Sequence, residues 1–160
     1  MIKELFLVLH NIRSAYNVGA ILRTADGAGV TRVYFSGYTP VPAKKNKIHI
    51  SSAEKMIAKT ALGAQESVDW EKINDLENLL KEFKNKKIKI ISLESINGAT
   101  NLKNFKAQFP LALFLGNEVD GVPKEILENS DEIISIPMKG KKESLNVSVA
   151  AGIAIYEILK

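Results

Sequence analysis

The segment Leu111-Ala112-Leu113-Phe114-Leu115-Gly116-Asn117-Glu118-Val119-Asp120-Gly121 decides the architecture. Five apolar residues run without interruption and stop at a glycine. So short an apolar run, bounded by turn residues, reads as a strand buried on both faces. Strands of that kind belong to parallel sheets covered on each side, whereas a half-wet strand would alternate. The expectation is a mostly parallel sheet with helices on both faces, and a polar turn where this strand ends.

Outward from this segment the chain alternates in the same way. Glu4–Leu9, Thr31–Ser36, Lys87–Leu93 and Glu132–Ile136 read as strands, and Val68–Trp70 as a short one. Asn17–Gly29 reads as a helix with Val18, Ile21, Leu22 and Ala25 on one stripe, and Asn17 as its cap. Ser51–Leu62 opens with a serine cap, and Asp75–Phe83 spaces Leu76, Leu79, Leu80 and Phe83 at helical intervals. The last helix covers Asn146–Leu159, and Gly37–Lys47, with Pro40 and Pro42, is a loop. Strand–helix alternation is the pattern of an α/β fold. With 160 residues and 46% hydrophobic content, residues 1–160 form a single domain with its own core.

Composition removes several classes of function. No apolar run approaches the roughly 20 residues of a membrane span. The opening MIKELFLVLHN has one early lysine and a short apolar run, but its apolar residues end at His10 and Asn11 without a cleavage site. A strand is expected there, not a signal peptide, and the protein is expected in the cytoplasm. Without cysteine there are no disulfides, thiolate metal sites or cysteine nucleophiles. His10 and His49 are too few and too scattered for a metal cluster.

Charge is concentrated. Lys44, Lys45, Lys47, Lys55 and Lys59 face one acid, Glu54, so the segment between Val41 and Thr60 alone carries the +4 of the whole chain. A local basic patch suits phosphate contacts, although lysine is also an ordinary solubilising residue.

Ligands of such sheets sit outside the carboxyl ends of the strands. Two polar, glycine-bearing segments lie there, Gly116–Gly121 and Pro137–Ser148. Neither is a GxGxxG nor a GxxxxGK[ST] loop, which argues against a dinucleotide enzyme, a P-loop NTPase or a generic nucleotide-binding α/β protein.

Three motifs carry a resemblance. They are Asn17-Val18-Gly19-Ala20-Ile21-Leu22-Arg23-Thr24-Ala25, then Leu115-Gly116-Asn117-Glu118 through Gly121, then Ile136-Pro137-Met138 through Ser144-Leu145-Asn146-Val147-Ser148-Val149-Ala150. In order and spacing they resemble the SpoU (TrmH) family of RNA 2′-O-ribose methyltransferases, within the SPOUT superfamily. The resemblance runs from about Leu5 to the C-terminus. It implies a deep trefoil knot near the C-terminus, S-adenosylmethionine as cofactor, and RNA as substrate: tRNA first, large-subunit rRNA as the alternative. A protein of this fold that binds RNA without catalysis is the remaining alternative. Intact Arg23, Glu118, Ser144 and Asn146 argue against it.

The resemblance also distributes roles. Arg23, Asn17, Glu118, Ser144 and Asn146 match catalytic positions. Leu93, Gly116, Ile136, Met138 and Leu145 match cofactor positions. In similar enzymes the arginine matching Arg23 is the proposed activator of the ribose hydroxyl. A guanidinium stays protonated in proteins, so holding a phosphate and stabilising a developing alkoxide suit it better than proton abstraction. Apart from the motif, Arg23 would read as a surface residue paired with Asp26, three positions on. Glu118 is expected to anchor a backbone amide or the arginine. RNA capture falls to Lys44, Lys45, Lys47, Lys141 and Lys142. The last helix has almost no polar face, which requires burial all round and so a second subunit; the resemblance likewise implies a homodimer.

Overall fold

A computed structural model of the protein describes residues 2–160. Seven strands form one sheet: β1 Leu5–His10, β2 Arg32–Ser36, β3 Trp70–Lys72, β4 Lys89–Leu93, β5 Thr100–Asn101, β6 Leu111–Leu115 and β7 Glu132–Ser135. Their order is β3-β2-β1-β6-β4-β7-β5, and every pairing is parallel. The apolar run that set the expectation is β6, with all five residues buried between β1 and β4.

Among the described residues six α-helices cover the sheet: α1 Ala15–Ala28, α2 Ser52–Ala61, α3 Ala64–Ser67, α4 Leu76–Asn85, α5 Lys124–Asn129 and α6 Val147–Leu159. Alternation along the strands builds two cores. Leu5, Leu7, Leu111, Leu113 and Leu115 point to one face, against Val18, Ile21 and Leu22 of α1 and Ala154 and Ile155 of α6. Val8, Tyr34, Ala112 and Phe114 point to the other, against Leu79, Leu80 and Phe83 of α4 and Ile126 of α5. At about 25 cal/mol per Å² of apolar surface, such two-sided burial is the main stabilising term.

Several boundaries differ from expectation. The cap of α1 is Ser14, in extended backbone, whose hydroxyl accepts the Asn17 N–H at 3.2 Å. Asn17 therefore lies inside the first turn with its side chain free for other partners. Strand β3 sits two residues later than predicted because Ala64–Ser67 forms α3, and Trp70 is the residue that pairs with Val33. The short elements α3, α5 and β5 carry too few residues to show a period. Where Ser51 was read as a cap, it forms a reciprocal capping box with Glu54.

α6 is not buried all round. Ala151, Ala154, Ile155 and Ile158 face the core, while Val149, Ile153 and Tyr156 are 51%, 43% and 58% exposed. One chain covers only one side of an apolar helix. No helix of the described residues is long and apolar enough to cross a membrane. After β6 the chain passes β4 to reach β7, then returns to lay α6 against α1. That return brings the segments after β4, β6 and β7 together.

Candidate active site

The turn after β6 is built around Asn117. The backbones of Asn117 and Gly121 exchange hydrogen bonds at 3.0 and 2.9 Å. Within that loop the Asn117 Oδ1 accepts the amides of Val119 and Asp120 at 2.7 and 2.9 Å, the self-bonding that suits asparagine to turns. Its Nδ2 donates outward to the Asn11 carbonyl at 2.9 Å and to the Tyr38 hydroxyl at 2.6 Å. One buried side chain thus closes the turn and ties it to the end of β1.

Two glycines make the turn possible. A Cβ on Gly116 would lie 2.3 Å from the carbonyl carbon and oxygen of Gly121. Gly121 has φ +71°, and a Cβ there would lie 2.1 Å from the Glu94 carboxylate. The space serves Glu94, whose Oε2 accepts the Val122 amide at 2.7 Å. Glu94 follows β4, so it braces the loop after β4 against the loop after β6.

A cleft of about 220 Å³ opens beside this turn, outside the ends of β4, β6 and β7. Leu93, Gly116, Ile136, Met138 and Leu145 all line it, as do Glu118 and Ser144. The other walls include Val147 and Ala150 from the first turns of α6. Leucine, isoleucine and methionine offer apolar surface, while the glycine-bearing turn brings main-chain groups close. A mostly apolar cleft with a few fixed polar groups is the usual form of a small-molecule site.

At the mouth, three of the predicted catalytic side chains join. Glu118 accepts the backbone amides of Arg13 and Ser14 at 3.0 and 3.2 Å and the Asn17 Nδ2 at 3.4 Å. Burial acts to raise the Glu118 pKa, but these donors together with its own amide outweigh it and hold the carboxyl below its ordinary value. Of the two anchors expected for Glu118, the backbone amide is the one present. Asn17 in turn accepts from the Asn146 Nδ2 at 3.2 Å. Asn146 caps α6, its Oδ1 taking the Ser148 amide and hydroxyl at 2.9 and 2.6 Å.

Arg23 lies apart from this network. It is exposed on α1, six residues beyond Asn17, in a surface depression with Lys59, Thr60 and Tyr156. The pairing with Asp26 is absent among the described residues; Asp26 instead accepts the Ser67 hydroxyl at 2.6 Å. Among the described residues Arg23 has no carboxylate partner. Lys44 and Lys45 are exposed and line a groove that Trp70 also lines, whereas Lys47 pairs with Glu54 at 2.6 Å and is partly neutralised. Lys141 and Lys142 are exposed in the segment between β7 and α6.

The sequence pattern of the SpoU rRNA Methylase family matches residues 4–156. The chain belongs to that family. It is 36% identical over 97% of its length to a tRNA (guanosine(18)-2′-O)-methyltransferase of Aquifex aeolicus, covering 68% of that protein. It is also 36% identical over 98% of its length to the 23S rRNA (guanosine-2′-O-)-methyltransferase RlmB of Haemophilus influenzae, and covers 59% of it. The crystal structure of the A. aeolicus TrmH/SpoU tRNA modifying enzyme superposes with a TM-score of 0.82 at 34% identity, covering 99% of this chain and 75% of that one. The parallel sheet and its helices are thus those of the SpoU fold.

Two residues that shape the cleft turn, and one that seats a helix, drew no role from the sequence. Asn117 and Glu94 act through contacts 106 and 28 positions away. Gly19 lies within the first motif. A Cβ there would lie 2.0 Å from the Thr60 hydroxyl and 2.3 Å from the Ile57 carbonyl, so the glycine lets α2 seat directly on α1. A glycine inside a helical pattern was the available signal.

Proposed function

We propose that this SpoU protein transfers the methyl group of S-adenosylmethionine to a ribose 2′-hydroxyl of structured RNA, with tRNA as the first candidate and large-subunit rRNA as the second. The observation that carries the proposal is the cleft after β4, β6 and β7, lined by all five residues matched to cofactor positions. The glycine-narrowed turn at Gly116 suits a bent ligand held by main chain. S-adenosylmethionine supplies an electrophilic methyl on a sulfonium. The chain's own residues then place the acceptor: Glu118, Asn17 and Asn146 fix the mouth through hydrogen bonds, and Ser144 lines it. Holding both reactants in line accounts for much of the rate of such a transfer.

Arg23 belongs to the same proposal as a fixed cation that grips an RNA phosphate and stabilises the developing alkoxide. Its distance from Asn17 along α1 fits a site completed by a second copy of the chain. The exposed stripe Val149, Ile153 and Tyr156 gives that copy an apolar seat, and Tyr156 borders the depression that holds Arg23. Lys44, Lys45, Lys141 and Lys142 supply exposed charge for the phosphates. The C-terminal knot and a cytoplasmic place of action, where these RNAs reside, complete the reading.

The test is transfer of labelled methyl from S-adenosylmethionine to unfractionated tRNA and rRNA by the purified protein. Label retained in RNA, and lost with Arg23→Ala, supports the proposal. Cofactor binding without any labelled RNA contradicts it.

A further inference from the structure

Tyr38 is an exposed aromatic residue held rigid from several sides. It is 58% exposed, in the loop that follows β2. Its backbone N–H donates to the Asn11 Oδ1 at 3.1 Å, and its hydroxyl accepts from the Asn117 Nδ2 at 2.6 Å. The residues on either side are fixed as well. Gly37 has φ +62°, and a Cβ there would lie 1.7 Å from the Asn11 Oδ1, so glycine leaves room for the acceptor that holds Tyr38. Thr39 is 2% exposed; its hydroxyl lies 2.9 Å from the carbonyls of Leu9 and Ser36 and accepts the Ile12 amide at 3.0 Å. The Lys72 ammonium donates to the Gly37 carbonyl and reaches that of Thr39 at 3.5 Å.

The other exposed tyrosines differ. Tyr16 and Tyr156 are 44% and 58% exposed, and among the described residues neither hydroxyl has a hydrogen-bond partner. Tyr38 alone of the three is braced at both ends while its ring faces solvent. Folding pays entropy to order a side chain, and here that ordering leaves the residue 58% exposed. The hydroxyl bond to Asn117 offsets part of that cost, and it leaves the exposed part of the side chain held in place for a docking group.

The location names that group. Tyr38 is bonded to Asn117, which lines the cleft beside Glu118, so its hydroxyl is tied to the cleft turn while the residue itself lies outside the cleft lining. A 2′-hydroxyl brought to a cleft needs its nucleotide splayed from its neighbours, and proteins that bind unstacked RNA stack the freed bases on aromatic rings. From this geometry we infer that Tyr38 is a preorganised stacking platform for an unpaired nucleobase of the RNA, at or next to the methylated nucleotide. Every base has a π-face, so the platform reads exposure of a base more than its identity. The inference rests on RNA being the substrate.

The experiment compares wild type, Tyr38→Phe and Tyr38→Leu for affinity to unfractionated tRNA across a salt series. Cofactor affinity by calorimetry and oligomeric state by light scattering are measured alongside. Removing one stacked base weakens binding by roughly 5-fold to 100-fold. Tyr38→Leu is expected to lose that much with an unchanged salt slope, since stacking releases no counterions. Tyr38→Phe, which keeps the ring, should stay within a few-fold of wild type. Leucine binding tRNA as well as wild type would overturn the inference. So would a loss shared with cofactor affinity, or a changed oligomeric state, because the ring would then be serving the fold or another chain. A wild-type protein that binds cofactor but neither binds nor methylates RNA would instead remove the functional reading, and this inference with it.

Discussion

The Asn146 Nδ2 donates to the Asn17 Oδ1 across 3.2 Å, joining side chains 129 positions apart. The same Asn146 caps α6 through its Oδ1, so one residue has a local and a long-range duty. Asn146→Ser can keep the cap and is too short for Asn17; Asn146→Ala loses both. Both variants should lose methyl transfer by about 10²-fold, the scale of deleting one fixed polar group from a reacting centre. Only the alanine variant should also lose about 1 kcal/mol of stability, the usual worth of an N-cap. Single-turnover assays with thermal unfolding separate the two, and a fully active serine variant would make the Asn17 contact dispensable.

Gly116→Ala should lower S-adenosylmethionine affinity at least about tenfold, since each 1.4 kcal/mol of distortion in the turn is a factor of ten. Its Cβ meets the Gly121 backbone at 2.3 Å, so the turn must open. Gly140→Ala meets nothing within 4 Å and is the matched control, expected to bind as wild type. Isothermal calorimetry decides, and equal affinities in the two variants would free the turn from any part in cofactor binding.

Stability should fall in two steps on acidification. Burial, with Lys72 assisting and Glu125 opposing, lowers the His10 pKa from 6.5. Its neutral form is therefore favoured in the folded state, and the stability it adds is present above pH 6.5 and lost as pH falls through its lowered value. Glu118 is also held below its ordinary 4.5, against the effect of burial, by the Arg13 and Ser14 amides, its own amide and Asn17. Its contribution is present above 4.5 and is lost below it. Unfolding midpoints across pH should show both losses, and Glu118→Gln should remove only the lower one.

The fold was legible where one physical signal decided it. β6 reads as buried on both faces from five apolar residues, and it is. That polar segments after core strands converge at the sheet's carboxyl edge was legible too, and a cleft lies there; which residues hold a cofactor came only from the resemblance. The cap of α1 was not, since Ser14 and Asn17 are both competent and only the extended backbone at Ser14 settles the choice. Motif order placed Arg23 near the site without giving its distance from Asn17, and six helical residues are about 9 Å of rise. Glu94 and Asn117 drew no notice as site residues because their partners come from other segments of the chain.

The two faces of α6 make opposite predictions for one substitution. Ile155 is fully buried within its own chain, whereas Ile153 is 43% exposed on the stripe proposed to meet a second copy. Ile155→Glu should cost several kcal/mol and abolish folding, as a buried unpaired charge does. Ile153→Glu should fold and appear by light scattering as a monomer where the wild type is a dimer. A wild type that is monomeric at micromolar concentration would remove the dimer from the account.

The most direct measurement is a map of ribose methylation in RNA from cells with this gene, cells without it, and the latter complemented by wild type or by Arg23→Ala. The account predicts a 2′-O-methyl nucleotide, first sought in tRNA, that disappears with the gene and returns with wild type but not with the alanine variant. Identical ribose methylation in all four RNA preparations would contradict it.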